Sequence, residues 1–475
     1  MSSEGRRSRL WANVMLVAWC WAAPPPGTAA EALPDLASRA GEDWGGFLGP
    51  TGNGRSGLEG MAVPWPAAGP RIVWHCDVGE GYCAPAVAAG RLLLFDRVGR
   101  DNRLRCLHAE TGARLWEERY PTTYADTFGY DGGPRSAPVI AGDRVLTFGA
   151  EGRLECRDLV DGASLWRIDT AQKYHVVQNF FGVGSAPLVL DAGGRRLVVV
   201  PVGGSRADAQ PPAPERLDLV EGLDSGLVAF DLANGRELWR ASGELASYST
   251  PLAARIAGRD VVLAWMRDHF LVVDPGAGQV LGRFRWRDDQ VFSVVAASPV
   301  VRGTEVLLSE CYGPGSVVLD LARLAAEGVP AVVRQDRPKS RPDGALKAHW
   351  ATPVLHEDHV YGSSGRNSGD AGLVCVDWKT GGVAWSEAGF GRASLVLVGR
   401  HLVVLGEFGD LALVEATPAR YVEVSRTRLV DPRVGAGAAA ELLTPPCWAA
   451  PVVARGLLYV RGRSHLVCVD LLAGP

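Results

Sequence analysis

The side chains of this 475-residue sequence best placed to do chemistry recur at one position of an internal repeat. A small residue followed by proline starts each copy, at Ala84-Pro85, Ala137-Pro138, Ala186-Pro187, Thr250-Pro251, Ser298-Pro299, Thr352-Pro353 and Ala450-Pro451, with Ser394-Leu395 as a degenerate member. Two residues before these starts stand Tyr82, Arg135, Gly184, Tyr248, Ala296, Trp350, Arg392 and Trp448. Aromatic rings in such a set can stack on a planar or sugar-like ligand, and arginines can pair with carboxylate or phosphate in a bidentate fork. His349 and the Tyr130-Asp131-Gly132-Gly133 loop lie close by in sequence and could add polar contacts. The same side chains could instead fill a channel and brace its walls. On sequence alone, ligand binding and packing are both open.

What positions these residues is the repeat itself. The eight starts are spaced 42 to 64 residues apart. Each leads into an apolar run, a turn, a second apolar run, and then a turn glycine followed by tryptophan. The closes are Thr111-Gly112 with Trp116, Asp161-Gly162 with Trp166, Asn234-Gly235 with Trp239, and Thr380-Gly381 with Trp385. Asn-Gly, Asp-Gly and Thr-Gly between apolar runs are hairpin signals, because glycine accepts the positive φ of a tight turn. Three or four short antiparallel strands per period of about 50 residues is the pattern of a propeller blade. The fold class is therefore all-β, an eight-bladed β-propeller of four-stranded antiparallel blades, and the close tryptophans are expected to pack between neighbouring blades. The eighth copy lacks its final strand, whereas Arg71-Ile72-Val73-Trp74, upstream of the first copy, resembles one. The N-terminal segment is expected to supply that strand, closing the ring and covering a sheet edge. Two insertions interrupt the pattern: Gly203 to Leu223, and Leu321 to Lys347, the latter read as a short helical stretch followed by a polar loop.

The nine cysteines sort by the same register. Cys106, Cys156, Cys375 and Cys468 occupy one repeat position, which the other copies fill with Ala229, Val272, Val318 and Leu413. A position open to Cys, Ala, Val or Leu is a buried core site, where cysteine behaves as a small hydrophobe. Cys76, Cys83 and Cys447 would meet where the ring closes. An oxidising compartment would permit a disulfide among them, with free thiols as the alternative. No CxxC or HxxxH spacing suggests a metal site. Hydrolysis has no support either: Ser363-Ser364-Gly365 and Gly313-Pro314-Gly315-Ser316 read as turn chemistry, and His269, His356 and His359 fall near strand ends with no partner evident.

Composition narrows the class. The chain is 47% hydrophobic and 21% charged, with a net charge of −4 and no basic cluster beyond a short one near Arg334–Arg341, so it carries no footprint for nucleic acid. Arg6, Arg7 and Arg9 precede an apolar stretch from Leu10 to Ala23, and Thr28-Ala29-Ala30 offers small residues for cleavage. At about 14 residues the stretch falls short of the roughly 20 that span a bilayer. Residues 1–30 therefore read as a signal peptide, 31–70 as a lead-in segment and 71–475 as the propeller. Arg6-Arg7 is a weak twin-arginine match, and Trp19 before Cys20 makes a poor lipoprotein site. The expected location is periplasmic or extracellular, as a monomer with no membrane-spanning segment in the mature chain.

Over residues 43–471 the chain resembles the PQQ-binding-like, quinoprotein alcohol dehydrogenase-like propeller repeat family, including the propeller group of the outer-membrane protein assembly factors. The resemblance rests on Asp43-Trp44-Gly45-Gly46-Phe47-Leu48-Gly49-Pro50, Phe181-Gly182-Val183-Gly184-Ser185-Ala186-Pro187, Gly389-Phe390-Gly391-Arg392-Ala393-Ser394 and Cys447-Trp448-Ala449-Ala450-Pro451. The dehydrogenases of that family would imply a tryptophan floor, an acid and amide set on calcium, a catalytic aspartate and often an adjacent Cys-Cys lid. Here no two cysteines are adjacent, and no Asp or Glu falls in a recognisable calcium pattern. The expectation is a binding or scaffolding module for a protein, peptide or cell-envelope ligand, with no catalytic set and no cofactor firmly implied. The alternative is a dehydrogenase of alcohols or sugars using PQQ with calcium. A third reading, a sugar- or polysaccharide-processing protein, rests on export and on the 15 tryptophans.

Overall fold

The computed structural model describes residues 38–336, 346–434 and 441–472. They form eight sheets, each with four antiparallel strands running outward from a central channel. Blade 1 sets the type, with Ala86–Ala88 innermost, then Arg91–Val98, Asp101–His108 and, outermost, Arg114–Pro121. The second strands of the blades carry continuous apolar runs, as in Leu92–Phe95 and Val198–Val200, all fully buried. Each blade lies between two others, so both faces of these strands must leave water; an alternating pattern would bury polar groups on one side. The outer strands face water and are largely charged, as in Arg114–Pro121.

One tryptophan–glycine contact repeats from blade to blade. Cys106, Cys156, Ala229, Cys375 and Cys468 are all fully buried. They pair across the sheet with Trp116, Trp166, Trp239, Trp385 and Trp74, and a bulge follows each pair. The bulge turns the indole toward the next blade. There Trp116 Nε1 donates to the Leu159 carbonyl (3.1 Å), Trp166 to Leu232 (2.9 Å) and Trp239 to Pro275 (2.9 Å). Its ring lies over the turn glycine of the neighbour: a Cβ on Gly162 or Gly235 would come within 2.8 Å of the indole. These glycines therefore answer two demands at once, a positive φ and a close approach. On the channel side the small-Pro starts interlock too. Ala186 N donates to Thr250 Oγ1, Thr250 N to Ser298 Oγ and Ser298 N to Thr352 Oγ1, at 2.9 to 3.2 Å.

The N-terminal strand Arg71–Asp77 pairs antiparallel with His465–Asp470 and completes blade 8, as its sequence leads one to expect. The lead-in before it has a role not read from the sequence. Trp44 exchanges backbone hydrogen bonds with Val87 of blade 1, and Ile140 of blade 2 donates to the Gly45 carbonyl. Arg55–Ser56 then adds a fifth, parallel strand to the innermost strand of blade 7, Ser394–Val398. Ala62 N donates to the Leu471 carbonyl of blade 8. The lead-in thus crosses the channel floor from blade to blade. Gly49, with φ +84° and a would-be Cβ only 2.9 Å from the Trp44 ring, is where the segment folds back on itself.

Blade 5 corrects one reading. Its outer strand, Ala331–Gln335, lies inside the segment taken for a polar loop after the helical stretch. The glycine–tryptophan close is missing there because Arg334 holds the tryptophan position, pairing with Val318 and donating from Nε to the Trp378 carbonyl of blade 6 at 2.7 Å. The helical stretch is real, spanning Leu324–Glu327. Gly203 to Leu223 does lie between two strands of blade 3, Arg195–Pro201 and Leu227–Asp231. Residues 1–30, including Cys20, lie outside the described residues. All eight described cysteines carry free thiols, Cys76, Cys83 and Cys447 among them. Cys83 donates to the Phe95 carbonyl, and burial raises its pKa to about 11. No helix among the described residues is long and apolar enough to cross a membrane.

Candidate functional site: a cup at the channel mouth

All eight residues that stand two before the blade starts line one cavity of about 550 Å³ where the innermost strands begin. Tyr82, Arg135, Gly184, Tyr248, Ala296, Trp350, Arg392 and Trp448 are joined there by Tyr130 and His349, while Phe47 and Leu48 of the lead-in line it from the floor side. Asp131, Gly132 and Gly133 are not in its wall. They act behind it, where Arg135 donates to the Gly133 and Asp131 carbonyls.

The rings form a connected wall. Tyr82 and Trp448 lie 4.8 Å apart by centroid, Trp448 and Trp350 5.0 Å, and Trp350 and His349 4.5 Å. Tyr130 bridges Trp448 and Phe181 at 5.6 Å from each. Phe128, Phe180 and Phe292 extend the apolar side. Phe128, Tyr130 and Phe292 are more than two-fifths exposed, so the rim is apolar and open to water. Tyr248 is also a strut: its Oη accepts from Phe181 N at 2.9 Å.

Two of the three arginines in the wall are already neutralised. Arg392 Nη2 lies 2.5 Å from Glu407 Oε1, and Trp448 Nε1 donates to the same oxygen at 2.9 Å. The Arg392 guanidinium sits between Trp350 and Trp448, 4.7 and 4.9 Å from their ring centres. Burial alone would push the Glu407 carboxyl up, but hydrogen bonds from Arg392 and Trp448 hold it below its ordinary value. Arg135 Nη2 lies 2.6 Å from Asp126 Oδ2, a carboxylate almost wholly out of water. Arg366 differs, having no carboxylate partner among the described residues; its guanidinium lies 4.3 Å from the ring centre of Tyr312. Beside it, burial and then the charges of Arg392 and Arg366 lower His349 to about 3, so the imidazole is neutral at physiological pH. Trp350 Nε1 and His349 Nδ1 are buried without a partner among the described residues.

Phe128, Phe180, Phe181, Phe292, Tyr312 and Arg366 escaped the sequence reading. They come from connections and turns outside the repeated position, so no register marks them; the adjacent Phe180-Phe181 before a blade start was the one visible signal.

An eight-bladed propeller of quinoprotein-type repeats, with its channel floored by its own N-terminal segment and open as a cup at the other end, is the class of protein these observations define. The sequence matches the family model described as outer membrane protein assembly factor BamB over residues 56–210 and 227–417, and the chain belongs to that family. Among solved structures it is similar to BamB from Moraxella catarrhalis, with a TM-score of 0.55 and 15% identity over 85% of this chain and 98% of that one. Quinohemoprotein alcohol dehydrogenases are also similar. That from Pseudomonas putida has a TM-score of 0.49 and 12% identity over 91% of this chain and 81% of that one. That from Comamonas testosteroni has a TM-score of 0.47 and 13% identity over 93% and 82%. No curated protein matches the sequence significantly.

Proposed function

We propose that this chain is an exported propeller that binds its ligand without transforming it, serving as a recognition or scaffolding module for a protein, peptide or cell-envelope component in the periplasm or outside the cell. The observation that carries this reading is the convergence of all eight repeat-equivalent positions on one aromatic, arginine-bearing cup. A propeller needs only to fill its channel; here the mouth is left open and lined with rings, and the lead-in fills the floor. Apolar lining with a few placed polar groups is the usual make-up of a ligand site.

The alternative, a calcium-assisted PQQ dehydrogenase, finds a poor donor set. The wall of the cup contains no carboxylate, and Asp126 and Glu407 behind it are each taken up by an arginine. Among the described residues, no group of three or more His, Cys, Asp and Glu is placed to hold a metal ion.

The test is capture from a cell-envelope extract with wild type and with Ala296→Trp, which fills the cup from a position outside the core. A component held by wild type and lost with the variant supports the reading; equal capture by both would overturn it. Saturable thermal stabilisation by PQQ that requires calcium would favour the dehydrogenase instead.

A further inference from the structure

The cup has two unlike sides. Blades 5 to 7 contribute Tyr312, His349, Trp350, Arg366 and Arg392; the side built from blades 1 to 4 carries Phe128, Phe180, Phe181 and Phe292. The first side holds the one arginine of the wall without a carboxylate partner among the described residues; on the second, rings dominate and Arg135 is already paired with Asp126. Charge pairing then sets the valence. Arg135 and Arg392 each have a carboxylate within 2.6 Å, which leaves Arg366 as the wall's uncompensated cation among the described residues. A neutral imidazole beside it adds no second charge.

We infer that the cup selects an aromatic monocarboxylate, its carboxylate on the Arg366 and Trp350 side and its ring against Phe180, Phe181 and Phe292. This deepens the binding-module reading and rests on it. A guanidinium suits a carboxylate, because its two parallel N–H donors meet both oxygens in one plane. A ligand carrying several negative charges would find only one free cation, and a neutral one would cover part of Arg366 without offering it a charged acceptor. An aromatic carboxylate occurs in two forms, as a small free acid and as the terminus of a peptide ending in an aromatic residue.

Calorimetric titration with four probes separates the possibilities: hydrocinnamate, its amide, and the tetrapeptide Gly-Gly-Gly-Phe with a free or an amidated terminus. The expected result is that an acid binds at least tenfold more tightly than its amide, the scale of one charge-assisted hydrogen bond. Arg366→Gln should erase that preference and Arg366→Lys should retain part of it. Arg366 is exposed and makes no ion pair among the described residues, so neither change threatens the fold. Preference for hydrocinnamate or for the peptide identifies the form of the ligand, and either supports the inference. Acid and amide binding alike, or an acid preference untouched by Arg366→Gln, would overturn it. If no probe binds while Ala296→Trp still abolishes capture from the envelope extract, this inference fails and the binding-module reading survives; if capture ignores Ala296→Trp, both fail.

Discussion

Trp74 donates from Nε1 to the carbonyl oxygen of Ala109 at 2.9 Å, and its indole covers Gly112, where a Cβ would come within 2.8 Å of the ring. One partner stands on the N-terminal strand and the other in blade 1, so this contact joins blade 8 to blade 1 with the same device that joins blades 1 to 2, 2 to 3 and 3 to 4. It is the point at which a linear chain of repeats becomes a ring.

Trp74→Ala should therefore lower unfolding stability by about 3 kcal/mol, toward the lower end for a large-to-small change because the indole is only partly buried. Deleting residues 71–75 should destabilise every blade together. Urea denaturation followed by far-UV circular dichroism checks both; a deletion variant with an unchanged midpoint would show that the ring does not depend on this strand.

The floor segment makes a separate prediction. Trp44 is 1% exposed and hydrogen-bonded through its backbone to blade 1, so Trp44→Ala should cost roughly 3–5 kcal/mol. Phe47 is only partly buried and lines the cup, so Phe47→Ala should cost less and should deepen the cavity. In paired titrations Phe47→Ala should shift preference from phenyl to naphthyl acids; an unchanged size preference would remove Phe47 from the floor.

Breaking the ion pair behind the wall should be expensive. Glu407→Gln leaves Arg392 partly buried without its counter-charge, at a cost of roughly 3 kcal/mol, and adding Arg392→Met should recover much of it. The sign of the pH dependence follows from the depressed Glu407 carboxyl. Its contribution is present above the unfolded value of about 4.3 and is lost as pH falls through the lower folded-state value. A double-mutant cycle in urea, run near neutral pH and again in acid, reads the coupling; coupling that does not weaken in acid would contradict it.

His349 has the opposite chemistry and the same sign. The unfolded imidazole takes up a proton below about 6.5, whereas the folded one stays neutral until about 3. Stability should therefore fall as pH drops from 6.5 toward 3. His349→Phe, which keeps a ring against Trp350, should flatten that part of the curve. The melting temperature of both proteins across this range decides it, and superimposable acid limbs would place the loss elsewhere.

How much of this was written in the sequence depends on whether a feature repeats. The blade number, the hairpins, the core position shared by Cys106 and Ala229, and the closing strand at Arg71 are local consequences of one register copied eight times. A ring of equivalent blades carries equivalent residues to equivalent places, so Tyr82, Arg135, Tyr248, Trp350, Arg392 and Trp448 could be named as neighbours though hundreds of residues separate them. The outer strand of blade 5 was obscured because Arg334 replaces the tryptophan that marks it in blades 1, 2, 3 and 6.

By itself the sequence determined the propeller and the place where its channel opens. Tertiary structure alone decided what that opening is. The path of residues 43–56 across the floor depends on hydrogen bonds to blades 1, 2 and 7, which no local pattern records. The charge of the cup depends on Asp126 and Glu407, carboxylates brought to Arg135 and Arg392 by a connection and a strand-to-strand turn. Among the described residues the same packing brings no carboxylate to Arg366. Repetition specifies positions, but which charges meet in a low-dielectric wall is a property of distances, and distances exist only once the ring has closed.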